Sequence, residues 1–203
     1  KSAEWYYGRQ KRLLGIYSLE KENVFSNTDF KLDAGYQNIE ESRHNRNFGN
    51  YNLQNRVEKV AVYSLAVNFE TKLIKGNLYY GIENYYDDLK STAHKNNINT
   101  GVDVPLDTRY PNGKNNMMRN DVYVSYSSKR YEATNFSIGA RAGYATLNSA
   151  IADNSILPLP FTEIKQQNFT YSGNIGLVHN ASEIFIVKTN LSTGFRVPNI
   201  DDL

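Results

Sequence analysis

FSIGARAGYATL, residues 136–147, alternates without a break: Phe136, Ile138, Ala140, Ala142 and Tyr144 fall on one side, and Ser137, Gly139, Arg141 and Gly143 on the other. Successive side chains of a β-strand point to opposite faces, so this stretch predicts a strand with one apolar and one polar face. The same period recurs elsewhere. FKLDAGYQ sets Phe30, Leu32, Ala34 and Tyr36 against Lys31, Asp33, Gly35 and Gln37. VAVYSLAVNF gathers Ala61, Tyr63, Leu65, Val67 and Phe69, and LYYGIENYY places Leu78, Tyr80 and Ile82 opposite Tyr79, Gly81 and Glu83. DVYVSY aligns Val122, Val124 and Tyr126; FTYSGNIGL aligns Phe169, Tyr171, Ile175 and Leu177. IFIVKTNLSTGFR carries Phe185, Val187, Thr189, Leu191, Thr193 and Phe195 away from Lys188, Asn190, Ser192 and Arg196. RLLGIYSLE reads as a further strand whose register stays open, because both of its faces hold apolar residues. About eight strands result.

Length and composition agree with one all-β unit. The chain has 203 residues, so a second domain is not required. With no cysteine there is no disulfide framework, thiolate metal site or cysteine nucleophile. A net charge of +2, with no basic run, speaks against nucleic acid as a partner. Apolar residues make up 40% of the chain, yet they are spread in alternation rather than gathered into blocks. No stretch approaches the roughly 18 apolar residues of a membrane helix, and KSAEWYYGRQKR at the start does not read as a signal peptide.

The links between strands alternate in length. Short ones fall near 22–28, 70–73, 128–134 and 180–183; longer polar ones fall near 40–52, 90–118 and 148–161. Short turns on one side and long loops on the other are the habit of outer-membrane barrels. Lys31, Asp33, Glu83, Arg141, Lys188 and Arg196 all occupy the polar parity. A Lys or Arg facing lipid at mid-bilayer costs roughly 2–4 kcal/mol, which explains such segregation. A soluble sandwich shows the same alternation turned inside out, so periodicity alone does not separate the two. Three features favour lipid. The alternating segments outrun the roughly 5–6 residues usual in soluble strands. Gly139, Gly143, Gly173 and Gly176 recur inside strands. Aromatics crowd the strand ends at Trp5, Tyr6, Tyr7, Tyr85, Tyr86, Tyr126, Tyr131 and Phe195, as in interfacial girdles. The expectation is an all-β fold, antiparallel up-and-down strands of a transmembrane β-barrel, spanning 1–203 as four hairpins.

The run STGFRVPNIDDL, 192–203, resembles a stretch late in the barrel of TonB-dependent outer-membrane receptors, matching at Gly194, Phe195, Arg196, Pro198, Asn199, Asp202 and Leu203. Residues 30–50, 156–161 and 172–182 are similar to the same family. The resemblance implies a middle-to-late portion of a barrel of about twenty-two strands, located in the bacterial outer membrane. It implies a parent receptor that imports a scarce ligand: a siderophore, haem, a cobalamin or an oligosaccharide. Its implied partners are outer-membrane lipid and lipopolysaccharide, a plug domain of the same parent chain, and an inner-membrane energy-coupling protein reached through that plug. Nothing in this stretch resembles the plug or the coupling segment. Two alternatives stay open, a small structural or adhesive eight-stranded barrel and a soluble ligand-binding β-protein.

No catalytic constellation stands out, and neither an enzyme activity, a cofactor nor a metal is expected. His44, His94 and His179 lie far apart with no second ligand at metal spacing. His44 or His94 as a haem ligand competes with the plainer reading of solvated loop histidines. Asp87 and Asp88 read either as a calcium pair or as a hydrated strand end at the head of a long loop. GNYNLQNR reads as a turn, and the sequons at Asn168, Asn180 and Asn190 as chance. Residues expected to touch a ligand are polar or aromatic, on the polar parity and near the long-loop end: Glu83, Tyr85, Asp87, Arg119, Asp121 and Arg196. Arg109 and Tyr110 of the longest link join them, and Arg196 doubles as a candidate wall salt bridge. Deleting 90–118 is expected to abolish binding and leave the barrel assembled.

Overall fold

A computed structural model describes residues 1–128, 133–156 and 158–200. Tyr131, Asp202 and Leu203, singled out above, lie outside the described residues.

The strands are β1 (Ser2–Tyr7), β2 (Lys11–Phe25), β3 (Thr28–Asn47), β4 (Asn52–Leu73), β5 (Gly76–Asn97), β6 (Asp103–Pro105), β7 (Asn115–Ser128), β8 (Thr134–Ala150), β9 (Glu163–Asn180) and β10 (Ile186–Ser192). They form one antiparallel sheet in the order β1-β3-β4-β5-β7-β8-β9-β10, with β2 on β3 and β6 on β5. β1 and β2 lie end to end on the same edge of β3, pairing with its 43–47 and 28–40 stretches. They act as one broken ribbon, and β6 only prolongs the ladder of β5. The up-and-down all-β architecture expected from the alternation is present, and the wall is eight ribbons wide.

The two faces of the sheet differ. Across β3, β4 and β5 the rows Phe30–Phe69–Tyr80, Leu32–Val67–Ile82 and Tyr36–Tyr63–Tyr86 share one face. The row of Ile82 continues through Val122 and Ala142 to Tyr171. This apolar face is bare: Ile138 is 48% exposed and Leu191 74%, and Phe136, Tyr144 and Val187 are also open. No second sheet or helix covers it among the described residues. The register left open for β2 is settled by its pairing, with Leu19 opposite Leu32 and Tyr17 opposite Ala34, while Leu14 and Ile16 turn to the polar face.

Height fits a membrane. From Tyr63 to Leu73 the apolar face of β4 carries no charge. That distance is about 34 Å along the strand and about 24 Å across the layer at a tilt near 45°, against an apolar band of about 25 Å in outer-membrane barrels. Two aromatic rows cross this face. Phe30, Phe69 and Tyr80 stack at 5.4 and 5.2 Å near the short turns, and Tyr36, Tyr63 and Tyr86 follow at 5.1 and 6.2 Å further up. Charge stands on this face at Lys21, which pairs with Phe30 in the lower aromatic row, and beyond the upper row, where Lys11 and Lys59 share Glu40 at 3.0 Å. Within the band, Asn84 donates to the Asn120 side chain on the next strand. Two amides that satisfy each other reduce the cost of meeting hydrocarbon.

The link lengths need correction. Between β3 and β4 the turn is only 48–51, and β5 continues to Asn97 before the long excursion. The polar stretches 40–47, 52–59 and 90–97 are ladder, not loop. Strands of 20 and 22 residues exceed the ~9–11 needed to cross. The surplus stands in water on both faces, where backbone hydrogen bonding continues without apolar alternation. On the opposite side the turns are tight, 26–27 and 74–75. Asn27 there takes φ 57°, a left-handed geometry that Asn tolerates.

The aromatic ends also sort by parity. Tyr86 and Tyr126 belong to the apolar face, as expected. Tyr85 turns to the polar face, and so do Trp5 and Tyr7, which meet edge-on at 5.1 Å high on β1. Tyr6 stacks on His44 at 4.7 Å. Phe195 follows β10 and leaves the ladder.

Candidate functional site

The polar face gathers most of the residues expected to meet a ligand. Cross-strand pairing sets Glu83 opposite Asp121 and Tyr85 opposite Arg119, so β5 and β7 present four of them as one patch. Arg141 of β8 reaches across both strands: its Nη2 donates to Glu83 Oε2 at 2.5 Å and to Asp121 Oδ2 at 3.0 Å. One guanidinium thus serves two carboxylates, and the Asp121 side chain is only 8% exposed. Arg119 lies over the Tyr85 ring, 4.9 Å from its centroid. In the sequence Arg141 shows only as a polar-face charge. Its central role had one signal, a lone charge in an otherwise uncharged strand.

Glycine makes room for this cluster. A Cβ on Gly143 would run into the Asp121 carboxylate and come within 2.8 Å of Thr170 Oγ1. We predict that Gly143→Val displaces Asp121 from Arg141 and lowers the denaturation midpoint of the refolded protein, whereas Gly15→Ala, with nothing within 4 Å, leaves it unchanged. Gly81 faces Tyr123 across the ladder, and the Tyr123 hydroxyl donates to Asn68 Oδ1 at 2.6 Å over the vacant side.

Other expectations scatter. Asp87 and Asp88 are consecutive within β5, not at the head of a loop, so their side chains leave on opposite faces and do not converge on a cation. Asp87 shares a recess of about 200 Å³ on the polar face with Val60, Val62, Met117 and Leu147. His44 and His94 stand in β3 and β5, not in loops. His44 is held by Asn55 at 2.6 Å and by Ser42 at 3.1 Å, so a solvated loop histidine does not describe it. Arg196 follows the end of β10, outside the β5–β7 patch. Its neighbours Phe195 and Val197 return to the polar face and line a recess of about 270 Å³ with Arg119, Asp121 and Arg141.

Arg109 and Tyr110 lie in a second place, the link from β6 to β7. With the β8–β9 link it encloses a cavity of about 360 Å³ whose wall includes Leu106, Tyr110, Ile151, Ile156, Leu159 and Phe161. Asn112 ties the two links together: its Oδ1 accepts from Ala152 N at 2.8 Å and Asp153 N at 3.1 Å, and its Nδ2 donates to Asp153 O at 2.8 Å. Asn154 clasps Leu159 in both directions at 2.9 Å. Fully buried Asn115 anchors the base, donating to Pro111 O at 2.7 Å and accepting from Ser149 Oγ at 2.6 Å. The Ser155 hydroxyl, then its backbone N–H, hold the Asp153 carboxyl below the ordinary aspartate range. Sequence reading found Arg109 and Tyr110 but not these asparagines, whose side chains read from sequence only as loop polarity.

An all-β antiparallel wall, apolar and open outside, charged and cross-linked inside, is the architecture of the membrane-barrel class. Among solved structures, the copper transporter OprC matches with a TM-score of 0.81 at 13% identity, covering 97% of this chain and 31% of that chain. The chain therefore spans about a third of the length of the protein it matches, and at this identity the likeness concerns the fold. No protein-family model and no curated protein sequence matches.

Proposed function

We propose that the chain forms part of the wall of an outer-membrane transporter of the TonB-dependent receptor kind, which captures a scarce ligand at its long-loop end and passes it through the barrel. The observation that carries this reading is the separation of faces. Apolar side chains stand bare on one side, and the ion-paired cluster of Glu83, Asp121 and Arg141 crosses three strands on the other. A bare apolar face calls for lipid, and a charged face calls for a watery interior. In this reading the short turns are periplasmic and the 98–114 and 151–162 links extracellular. The likeness to a transporter fold and the matching run at 194–199 support the class. The neighbour's copper is a property of that protein, and at 13% identity it is not assigned to this chain.

The test follows the corrected loop boundaries. Replacing 98–114 in the full-length protein by a Gly/Ser linker of the same length spares the β5–β7 ladder, which runs from Gly76–Ser128 to Leu89–Asn115, and lets β5 stay paired with β4 up to Asn97. The variant is expected to keep heat-modifiable gel migration and to lose energy-dependent uptake across a panel of candidate ligands. Undiminished uptake would exclude these links from capture. A parent protein that imports no member of the panel by an energy-dependent route would contradict the transport reading itself.

A further inference from the structure

The cavity between the two long links is unusual for its position. It sits at the end of the wall where strands have outrun the membrane, so lipid does not fill it. A preformed apolar concavity standing in water, with a few converging polar groups, is the usual form of a small-molecule site. Its volume of about 360 Å³ falls at the lower end of such sites, which run from about 300 to 1,000 Å³. The side-chain clasps of Asn112 and Asn154 fix its two walls without any ligand, so little ordering is left to offset on binding.

The lining also has a sign. Asp107 and Asp153 bring two negative charges and Arg109 one positive, for a net of −1. Arg109 is turned toward its neighbour, with its guanidinium carbon 5.0 Å from the Tyr110 ring centroid. Phe161, 43% exposed, offers a ring to the cavity. Aromatic faces attract cations and carboxylates pair with them, whereas a polyanion meets two like charges here. We propose that this cavity binds a compact ring-bearing organic group that is neutral or positively charged, and that it selects against polyanionic ligands. This rests on the transport reading only for its purpose; the site itself is formed by the two links, with Ile164 of β9 and Ile200 beyond β10 completing its wall.

The experiment titrates full-length protein in detergent with two probes that share one ring system, 1-naphthylmethylamine and 1-naphthalenesulfonate, followed by calorimetry. The amine is expected to bind at least tenfold more tightly than the sulfonate. Asp153→Asn is expected to narrow that ratio, and Ile156→Asn, which adds polarity without charge, to abolish binding of the ring while heat-modifiable migration stays intact. Equal or tighter binding of the sulfonate would overturn the proposal. So would amine binding that survives Ile156→Asn, because the ring would then sit elsewhere. Asn112→Ala, which unties the walls without touching the lining charge, is expected to weaken both probes equally; an unchanged affinity for both would refute the preformed pocket. Energy-dependent uptake is scored separately. Import with no amine binding sinks this assignment alone, and amine binding with no import sinks the transport reading alone.

Discussion

Arginine in place of Val67 is expected to cost about 2–4 kcal/mol and to stop a large fraction of the protein from assembling in the membrane. Val67 lies on the apolar face between Leu32 and Ile82, in the middle of the charge-free band. The neighbouring substitution, Ala66→Arg, is the control. Ala66 is one residue away on β4 but stands between Asp33 and Glu83 on the polar face, so an arginine there meets two acids and water. Its effect is expected to stay within about 1 kcal/mol of the parent. Folding titrations into phospholipid vesicles, read as the heat-modifiable band, measure both. A soluble sandwich would give the same order, with Val67→Arg lodged in a dry core and Ala66→Arg in water, but its folding would not depend on the vesicles. Equal effects at the two positions would contradict a two-faced wall.

The second large effect concerns Arg141. Replacing it with leucine leaves Glu83 and Asp121 facing each other as direct cross-strand partners, with Asp121 almost wholly enclosed. Removing one partner from a buried ion pair costs about 3–5 kcal/mol. With Arg141 and Glu83 partly open to water, at 33% and 25% side-chain exposure, about 1–3 kcal/mol is expected here. Adding Glu83→Gln to Arg141→Leu removes the repulsion and should recover a good part of that loss. A double-mutant cycle in urea reads the coupling directly. Coupling below about 0.5 kcal/mol would mean that the three groups are merely neighbours and the cluster does not brace the wall.

How much of this was legible beforehand follows from where the physics is local. Strand type and face came through wherever hydrocarbon enforces alternation, as in 136–147 or 30–37, because every second residue there is under constraint. The same rule failed for 40–47, 52–59 and 90–97. Those stretches have water on both sides, so only the backbone ladder holds them, and backbone pairing leaves no mark on residue type. The open register of β2 had the same origin: Leu13, Leu14, Ile16 and Leu19 supply two apolar faces, and only the partner strand decides between them. For the site, parity alone placed Glu83, Tyr85, Arg119 and Asp121 together, since cross-strand neighbours on one face follow from register. It did not bring Arg141 among them, because that needs the order of β7 and β8. Asp87 and Asp88 were read as a pair from adjacency, and a strand separates adjacent residues by design. The loop cavity was out of reach, since Asn112, Asn115 and Asn154 act through contacts with chain 4 to 41 residues away.

The facing of the wall is open to one direct measurement. The chain has no cysteine, so single cysteines introduced along 136–147 can each carry a nitroxide without background. In bilayers of the full-length protein, labels at Phe136, Ile138, Ala140, Ala142 and Tyr144 should collide with dissolved oxygen and be shielded from a water-soluble nickel chelate. Labels at Ser137 and Arg141 should show the reverse, while Gly139 and Gly143 are left unlabelled because a side chain there would meet Asn174 or Asp121. Accessibility without that contrast, or with nickel reaching Ile138 and Ala142 in preference to Ser137 and Arg141, would contradict a wall that turns its apolar side to lipid.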